Sequence, residues 1–156
     1  MFNNLFSHKI YLAADHAGFS HKEEIKAWLI GEGKEVVDLG AESYDAEDDF
    51  PQYMAAAAKA VAKDPDNNCA IIFGGSGQGE AMTANRYRNV RATVYYGGSD
   101  EVIMLSRAHN DANILSLGSR FISVNDAKRV IWLWLSAPFG GEEKYSRRNG
   151  QLDKLK

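Results

Sequence analysis

The sequence predicts an α/β fold, a three-layer αβα arrangement around a five-stranded parallel sheet. Three observations carry this. Five short apolar runs alternate with helical stretches, the pattern of a parallel sheet covered on both faces. The central run, Cys69-Ala70-Ile71-Ile72-Phe73, leads directly into Gly74-Gly75-Ser76-Gly77-Gln78-Gly79 and then into a helix starting near Glu80. Polar residues gather where the runs end, and in an open parallel sheet ligands sit outside the carboxyl ends of the strands.

Taken in order, Lys9-Ile10-Tyr11-Leu12-Ala13-Ala14 reads as the first strand and ends in Asp15-His16-Ala17-Gly18. Residues 20–30 carry Ile25, Trp28 and Leu29 at helical spacing, with Ser20 as N-cap and Glu23 three positions on, a capping box. Gly31 and Gly33 stop that helix. Glu35-Val36-Val37-Asp38-Leu39 is the second strand, closed by Gly40. Residues 41–49 hold five acidic residues without periodicity and read as a solvated loop. Pro51 suits the first turn of the alanine-rich helix over 52–62, and 63–68 is a turn. After the central strand and its helix, Arg91-Ala92-Thr93-Val94-Tyr95-Tyr96 is the fourth strand, followed by Gly97-Gly98-Ser99. Residues 100–107 form a short helix, Ala108-His109-Asn110-Asp111 a polar loop, and Ile114-Leu115-Ser116-Leu117-Gly118 the fifth strand. The helix over 123–135 places Val124, Ala127, Val130, Ile131, Leu133 and Trp134 mostly on one side, and Pro138 with Gly140-Gly141 ends it. Residues 142–156 read only as a polar stretch holding Lys144, Arg147 and Arg148.

With 156 residues and no linker, repeat or low-complexity tract, the chain is expected to be a single domain over 1–156. The net charge is −3 and no lysine/arginine run is dense, which argues against a nucleic-acid partner. The one cysteine excludes an internal disulfide and fits a reducing compartment. No apolar run approaches membrane-spanning length, and the amino terminus lacks a signal-peptide core, so a cytoplasmic protein without a membrane partner is expected.

The glycine loop fails three familiar patterns. A dinucleotide fingerprint would need glycine at Glu80, a nucleophile elbow would need glycine at Gln78, and an NTPase loop would need a lysine. What remains is a nest of backbone N–H groups, suited to an anion, with a carboxylate at its end. That is equipment for abstracting a proton next to a carbonyl. The plainer alternative is that Glu80 is an exposed helix-start residue favoured by the helix dipole. Glu80 is joined by Asp15, His16, His109 and the cations Arg120, Lys144 and Arg148, a set that suits aldose–ketose isomerisation of a sugar phosphate. No histidine/carboxylate cluster with metal-ligand spacing is evident, and no metal or cofactor is expected.

The motifs Ala14-Asp15-His16-Ala17-Gly18-Phe19, Asp49-Phe50-Pro51, Gly74 to Glu80, Ala84-Asn85-Arg86, Arg107-Ala108-His109-Asn110-Asp111 and Leu117-Gly118-Ser119-Arg120 occur in one order along the chain. In this the sequence resembles the ribose-5-phosphate isomerase B / galactose-6-phosphate isomerase family, from about Ile10 to about Leu152. The resemblance implies a Rossmann-like fold and a metal-free proton shuttle between C1 and C2 through an enediolate. One branch of that family uses a cysteine just before the glycine loop, where this chain has Gly74; the other has glutamate at the position of Glu80. By the same resemblance, the N–H groups of Gly75, Gly77 and Gly79, with the Ser76 hydroxyl, hold the enediolate oxygen. His109 assists ring opening, Asp15, His16 and Asn110 contact the substrate, and Arg120 and Arg148 bind its phosphate. Lys144 stands where the family usually has arginine, with Arg147 beside it. His109 and the basic residues complete a neighbour's site in the family, so a homodimer or tetramer is implied, with the segment 141–156 packing on the partner.

Cys69 lies several residues too early for the cysteine branch and reads as a small buried hydrophobe. His8 and His21 have no motif around them, and Trp28, Trp132 and Trp134 fit core or interface positions. The connection from Tyr95 to Asp100 is slightly longer than the family's usual one, leaving open what lines the sugar's far end. The leading expectation is an isomerase of ribose 5-phosphate and ribulose 5-phosphate. Isomerisation of a six-carbon sugar phosphate and a non-catalytic sugar-phosphate-binding module are the alternatives.

Overall fold

A computed structural model describes residues 9–155; His8 and Lys156 lie outside the described residues. In chain order the elements are β1 (Ile10–Ala14), α1 (Phe19–Gly31), β2 (Val36–Asp38), α2 (Phe50–Ala62), β3 (Cys69–Gly74), α3 (Gln78–Ala84), β4 (Ala92–Tyr95), α4 (Glu101–Ala108), β5 (Ile114–Gly118), α5 (Val124–Ser136) and α6 (Glu143–Leu152). The five strands form one parallel sheet in the order β2-β1-β3-β5-β4.

The period-2 pattern of the strands divides the core between two faces. Ile10, Leu12, Cys69, Ile71, Phe73, Leu115 and Leu117 face Ile25 and Leu29 of α1, Ile103 of α4, and Val130, Ile131 and Trp134 of α5. Ala13, Ala70, Ile72 and Ile114 face Met54, Ala57, Ala58 and Val61 of α2 and Ala84 of α3. The small side chains on that second face let α2 and α3 lie close to the sheet. Every residue of β3 is buried, as a central parallel strand requires. Cys69 is fully buried in the first cluster, and burial pushes its thiol pKa up.

Two expectations about helix ends are corrected. Helix α1 begins at Phe19 with Gly18 as its N-cap and no side-chain cap, so Ser20 lies inside it. Glu23, the other half of the expected capping box, is held by Lys22 and Lys26 instead, at 2.7 and 2.8 Å. The chain enters this helix early because Asp15 Oδ1 accepts the N–H of Gly18 at 3.1 Å, turning the backbone one step before Ser20. The second correction concerns the carboxyl terminus, where the polar stretch contains the helix α6. Its turns are docked by polar contacts: Arg91 Nη1 donates to Asp153 Oδ1 at 2.9 Å, and Asn149 Nδ2 to the carbonyl of His109 at 3.1 Å. Among the described residues, no helix is long and apolar enough to cross a membrane.

Candidate active site

Strand order reverses between β1 and β3, since β2 lies on one side of β1 and β3 on the other. Their carboxyl ends therefore diverge into a crevice, the position where open α/β sheets bind ligands. The glycine loop leaves β3 here. Gly77 sits in the left-handed region at φ 78° and is the N-cap of α3, a conformation that favours glycine. The end of β5 fixes the loop's shape. The Ser119 and Arg120 N–H groups donate to the carbonyls of Gly74 and Gly75 at 2.8 and 3.1 Å, and Ser116 Oγ donates to that of Gly77 at 2.6 Å. Ser76 Oγ accepts the N–H of Gln78 at 3.3 Å. The N–H groups of Gly75 and Ser76 have no acceptor among the described residues and remain available to an anion.

Glu80 is only 4% exposed, which overturns the reading of an exposed helix-start residue. Its carboxylate folds back onto β3, where a Cβ built at Gly74 would run into it. Glycine at position 74 is thus what lets this carboxylate lie against the end of β3. Burial raises the Glu80 pKa above its ordinary 4.5, and the charge of Asp15 adds to this. Its own backbone N–H, Arg120 and the Gly77 N–H act in the opposite direction.

Asp15 and His16 follow β1 into the same crevice. Asp15 is 6% exposed. His16 Nδ1 lies 2.7 Å from Asp48 Oδ1, which also accepts the His16 backbone N–H at 3.1 Å. The hydrogen bond to Asp48 is the largest cause of a raised His16 pKa. The loop over 41–49 is therefore not simply solvated: the Asp48 side chain is 3% exposed, and sequence reasoning missed it. The available signal was its place directly before Asp49-Phe50-Pro51. The loop's start is anchored by the fully buried Lys22, whose Nζ donates to Ala41 O at 2.8 Å and to Asp38 at 2.7 and 2.8 Å. Ligand atoms of Asp15, His16 and Asp48 lie within 4.8 Å of one another, so the chain does hold a group of metal-capable side chains, contrary to the expectation from spacing. Arg120 is exposed and has no side-chain partner among the described residues. Its guanidinium lies over Gly75, 3.2 Å from where a Cβ would stand, so glycine there admits the cation to the loop.

The remaining candidates lie at the opposite end of the strands. His109 caps the carboxyl end of α4, ahead of β5, and its ring stacks on Tyr145 of α6 at 4.1 Å. The Asn110 side chain is exposed, while its carbonyl accepts from Arg91 Nε at 2.9 Å. Lys144 pairs with Glu142 at 3.1 Å and Arg147 with Glu143 at 2.8 Å. Arg148 is exposed with no partner among the described residues. A cavity of about 790 Å³ on this side is lined by Asn110, Arg86, Arg91 and Asp153, and by none of the crevice residues above. The five residues of β5 separate the two sets by roughly 16 Å along the strand. One chain thus presents the Glu80 carboxylate, a set of free loop N–H groups, Asp15, His16 and Arg120 at the carboxyl ends of the strands, and His109, Asn110, Lys144 and Arg148 at the amino end of β5.

Comparison with known proteins shows the family and the fold of the chain. The profile of the family described as Ribose/Galactose Isomerase matches residues 10–152. The chain is 37% identical over 140 residues to ribose-5-phosphate isomerase B of Mycolicibacterium paratuberculosis, covering 90% of this chain and 86% of that protein. It is 37% identical over 139 residues to ribose-5-phosphate isomerase B of Escherichia coli, covering 89% of this chain and 91% of that one. The crystal structure of ribose-5-phosphate isomerase B from Mycoplasma genitalium with bound ribulose-5-phosphate superposes with a TM-score of 0.90 at 33% identity, over 96% of both chains. With the profile spanning nearly the whole chain and the fold shared throughout, the chain belongs to the ribose/galactose isomerase family.

Proposed function

We propose that this protein interconverts ribose 5-phosphate and ribulose 5-phosphate by metal-free proton transfer through an enediolate. The observation that carries the reading is the buried Glu80 carboxylate lying against Gly74, beside the free N–H groups of Gly75 and Ser76. The names of its relatives, one of them solved with ribulose-5-phosphate bound, supply the substrate.

In the forward direction Glu80 takes the proton from C2 of the open-chain aldose. The charge that develops on the C1 oxygen is stabilised by the loop N–H groups and the Ser76 hydroxyl. The same carboxylic acid then returns the proton to C1, while the hydroxyl proton on O2 passes to O1, leaving a carbonyl at C2. The raised pKa of Glu80 suits a group that must both accept and return a proton. Asp15 and His16 hold sugar hydroxyls, and Arg120 meets the phosphate with a planar guanidinium.

His109, Asn110, Lys144 and Arg148 act on the crevice of a second copy. His109 moves the proton that opens the sugar ring, and Arg148 with Lys144 completes the phosphate site. The functional unit is therefore a homodimer, or a tetramer built from such dimers, in which each chain acts as one domain. The connection after β4 leaves open what lines the sugar's far end, so six-carbon substrates belong in the test.

Purified protein assayed on ribose 5-phosphate, allose 6-phosphate and galactose 6-phosphate, with and without EDTA, should prefer ribose 5-phosphate and be indifferent to EDTA. Preference for a six-carbon substrate would overturn the substrate assignment. Turnover lost in EDTA and restored by a divalent ion would overturn the metal-free mechanism.

A further inference from the structure

The loop over 41–49 touches the candidate site through Asp48, which makes two contacts with one residue. Its Oδ1 accepts the backbone N–H of His16 at 3.1 Å and lies 2.7 Å from the ring Nδ1. Its Oδ2 is buried and has no hydrogen-bond partner among the described residues. A buried carboxylate is costly unless a charge compensates it, and the His16 ring is bonded to this one. Tyr44 from the same loop sets its ring edge-on to His16 at 6.3 Å, bracing the imidazole from another side. With Nδ1 occupied and the ring 27% exposed, Nε2 is the nitrogen left for a ligand.

We propose that Asp48 is a positioning residue for the isomerase: by bonding both the backbone N–H and the ring Nδ1 of His16 it fixes the tautomer and direction of the imidazole, and thereby aims Nε2 at an oxygen of the bound sugar phosphate. This rests on the isomerase reading above. A carboxylate on one ring nitrogen fixes both the tautomer and the direction of the other, and a charged donor makes the stronger hydrogen bond. The surrounding groups act on this pair from several elements. Asp15, next in sequence, favours the imidazolium, and Arg120 after β5 opposes it. Tyr53 of α2 and Asp45 of the same loop belong to the network around Asp48, where burial and the nearby carboxylates hold the Tyr53 phenol protonated.

The test is an NMR titration of the His16 imidazole in EDTA-treated, substrate-free protein, paired with steady-state kinetics on ribose 5-phosphate. In the wild type His16 should titrate above the ordinary histidine value of 6.5 and keep its Nδ1 proton when it deprotonates. In Asp48→Asn the titration should move down, and KM should rise about tenfold with a smaller change in kcat, as expected for weakening one charge-assisted hydrogen bond. Asp48→Glu should restore part of both. His16→Gln with Asp48→Asn should be no worse in kcat/KM than His16→Gln alone. If Asp48→Asn folds poorly, Asp48→Ser carries the same comparison. An unmoved His16 titration, or additive losses in the double variant, would overturn the proposal and leave Asp48 as a loop staple. Because the titration needs no substrate, it reads separately from turnover: a wild type inactive on ribose 5-phosphate would overturn the substrate reading instead.

Discussion

At the scale of single residues, Glu80 and Gly74 are one device. The glycine has no side chain so that the carboxylate can take that space. Gly74→Ala should therefore displace Glu80 and cost kcat nearly as much as Glu80→Gln, which removes the base and should lower kcat by about 10²–10⁴-fold with little change in KM. Cys69→Ala should leave kcat near wild type, because a thiol raised in pKa within the core is a poor nucleophile or base. Steady-state kinetics of the three variants on ribose 5-phosphate checks this, and an active Glu80→Gln enzyme would remove the proposed base. Glu80 also couples stability to pH. Its folded-state pKa lies above 4.5, so the native chain binds this proton more tightly than the unfolded chain does. The stabilisation is full below the unfolded value and is lost as pH rises through the folded one. At neutral pH the native state instead holds a buried carboxylate at a cost. Glu80→Gln should thus raise Tm at pH 7, an advantage that shrinks as the pH falls toward 4.5, as calorimetry across that window would show.

At the scale of elements, two helix starts that look alike in sequence differ in the structure. Ser123 caps α5 in a reciprocal capping box with Asp126, accepting its N–H at 3.1 Å. Ser20 was expected to do the same for α1 and lies exposed within its first turn. Ser123→Ala should cost about 1 kcal/mol in denaturant unfolding, whereas Ser20→Ala should change stability by only a few tenths, since alanine is the better helix former inside a helix. Helix α6 shows the opposite lapse, an element with almost no sequence signal. It has a single buried residue, Asn149, so no apolar stripe announces it. Its place depends on Asp153 meeting Arg91 and on Tyr145 stacking against His109. Asp153→Ala should free the segment, read as faster proteolytic cleavage within 142–150 and a lower kcat/KM.

At the scale of the whole molecule, the proposed mechanism calls for a second copy of the chain, because it brings together on one substrate two sets of candidate residues that one chain holds apart. Glu80 follows the carboxyl end of β3 and His109 precedes the amino end of its neighbour β5, so the length of a strand separates a chain's own His109 from its own Glu80. Mixing Glu80→Gln with His109→Asn, after unfolding and refolding together, should regain activity. A random mixture yields heterodimers with one intact site each, about a quarter of all sites. Neither variant alone should reach that level. A mixture no more active than its components would show that each site is built from one chain.

The sequence by itself determined the sheet, its parallel sense and the glycine loop, because buried strands and strand–loop–helix junctions impose local patterns of apolar runs and glycines. It also marked Glu80, Asp15, His16 and Arg120 as candidates, since each lies in a recognisable motif just past the end of a strand: after β1, in the glycine loop and helix start after β3, and after β5. The start of α1 was decided only in three dimensions, where the Asp15 side chain turns the backbone at Gly18 before Ser20 can act. The same is true of Asp48, whose loop has no periodicity and whose partner is 32 positions away. Helix α6 is held by distant polar groups and carries no apolar stripe of its own. Local patterns encode local hydrogen bonding and burial; contacts between residues far apart in the chain exist only once the sheet has brought its edges together.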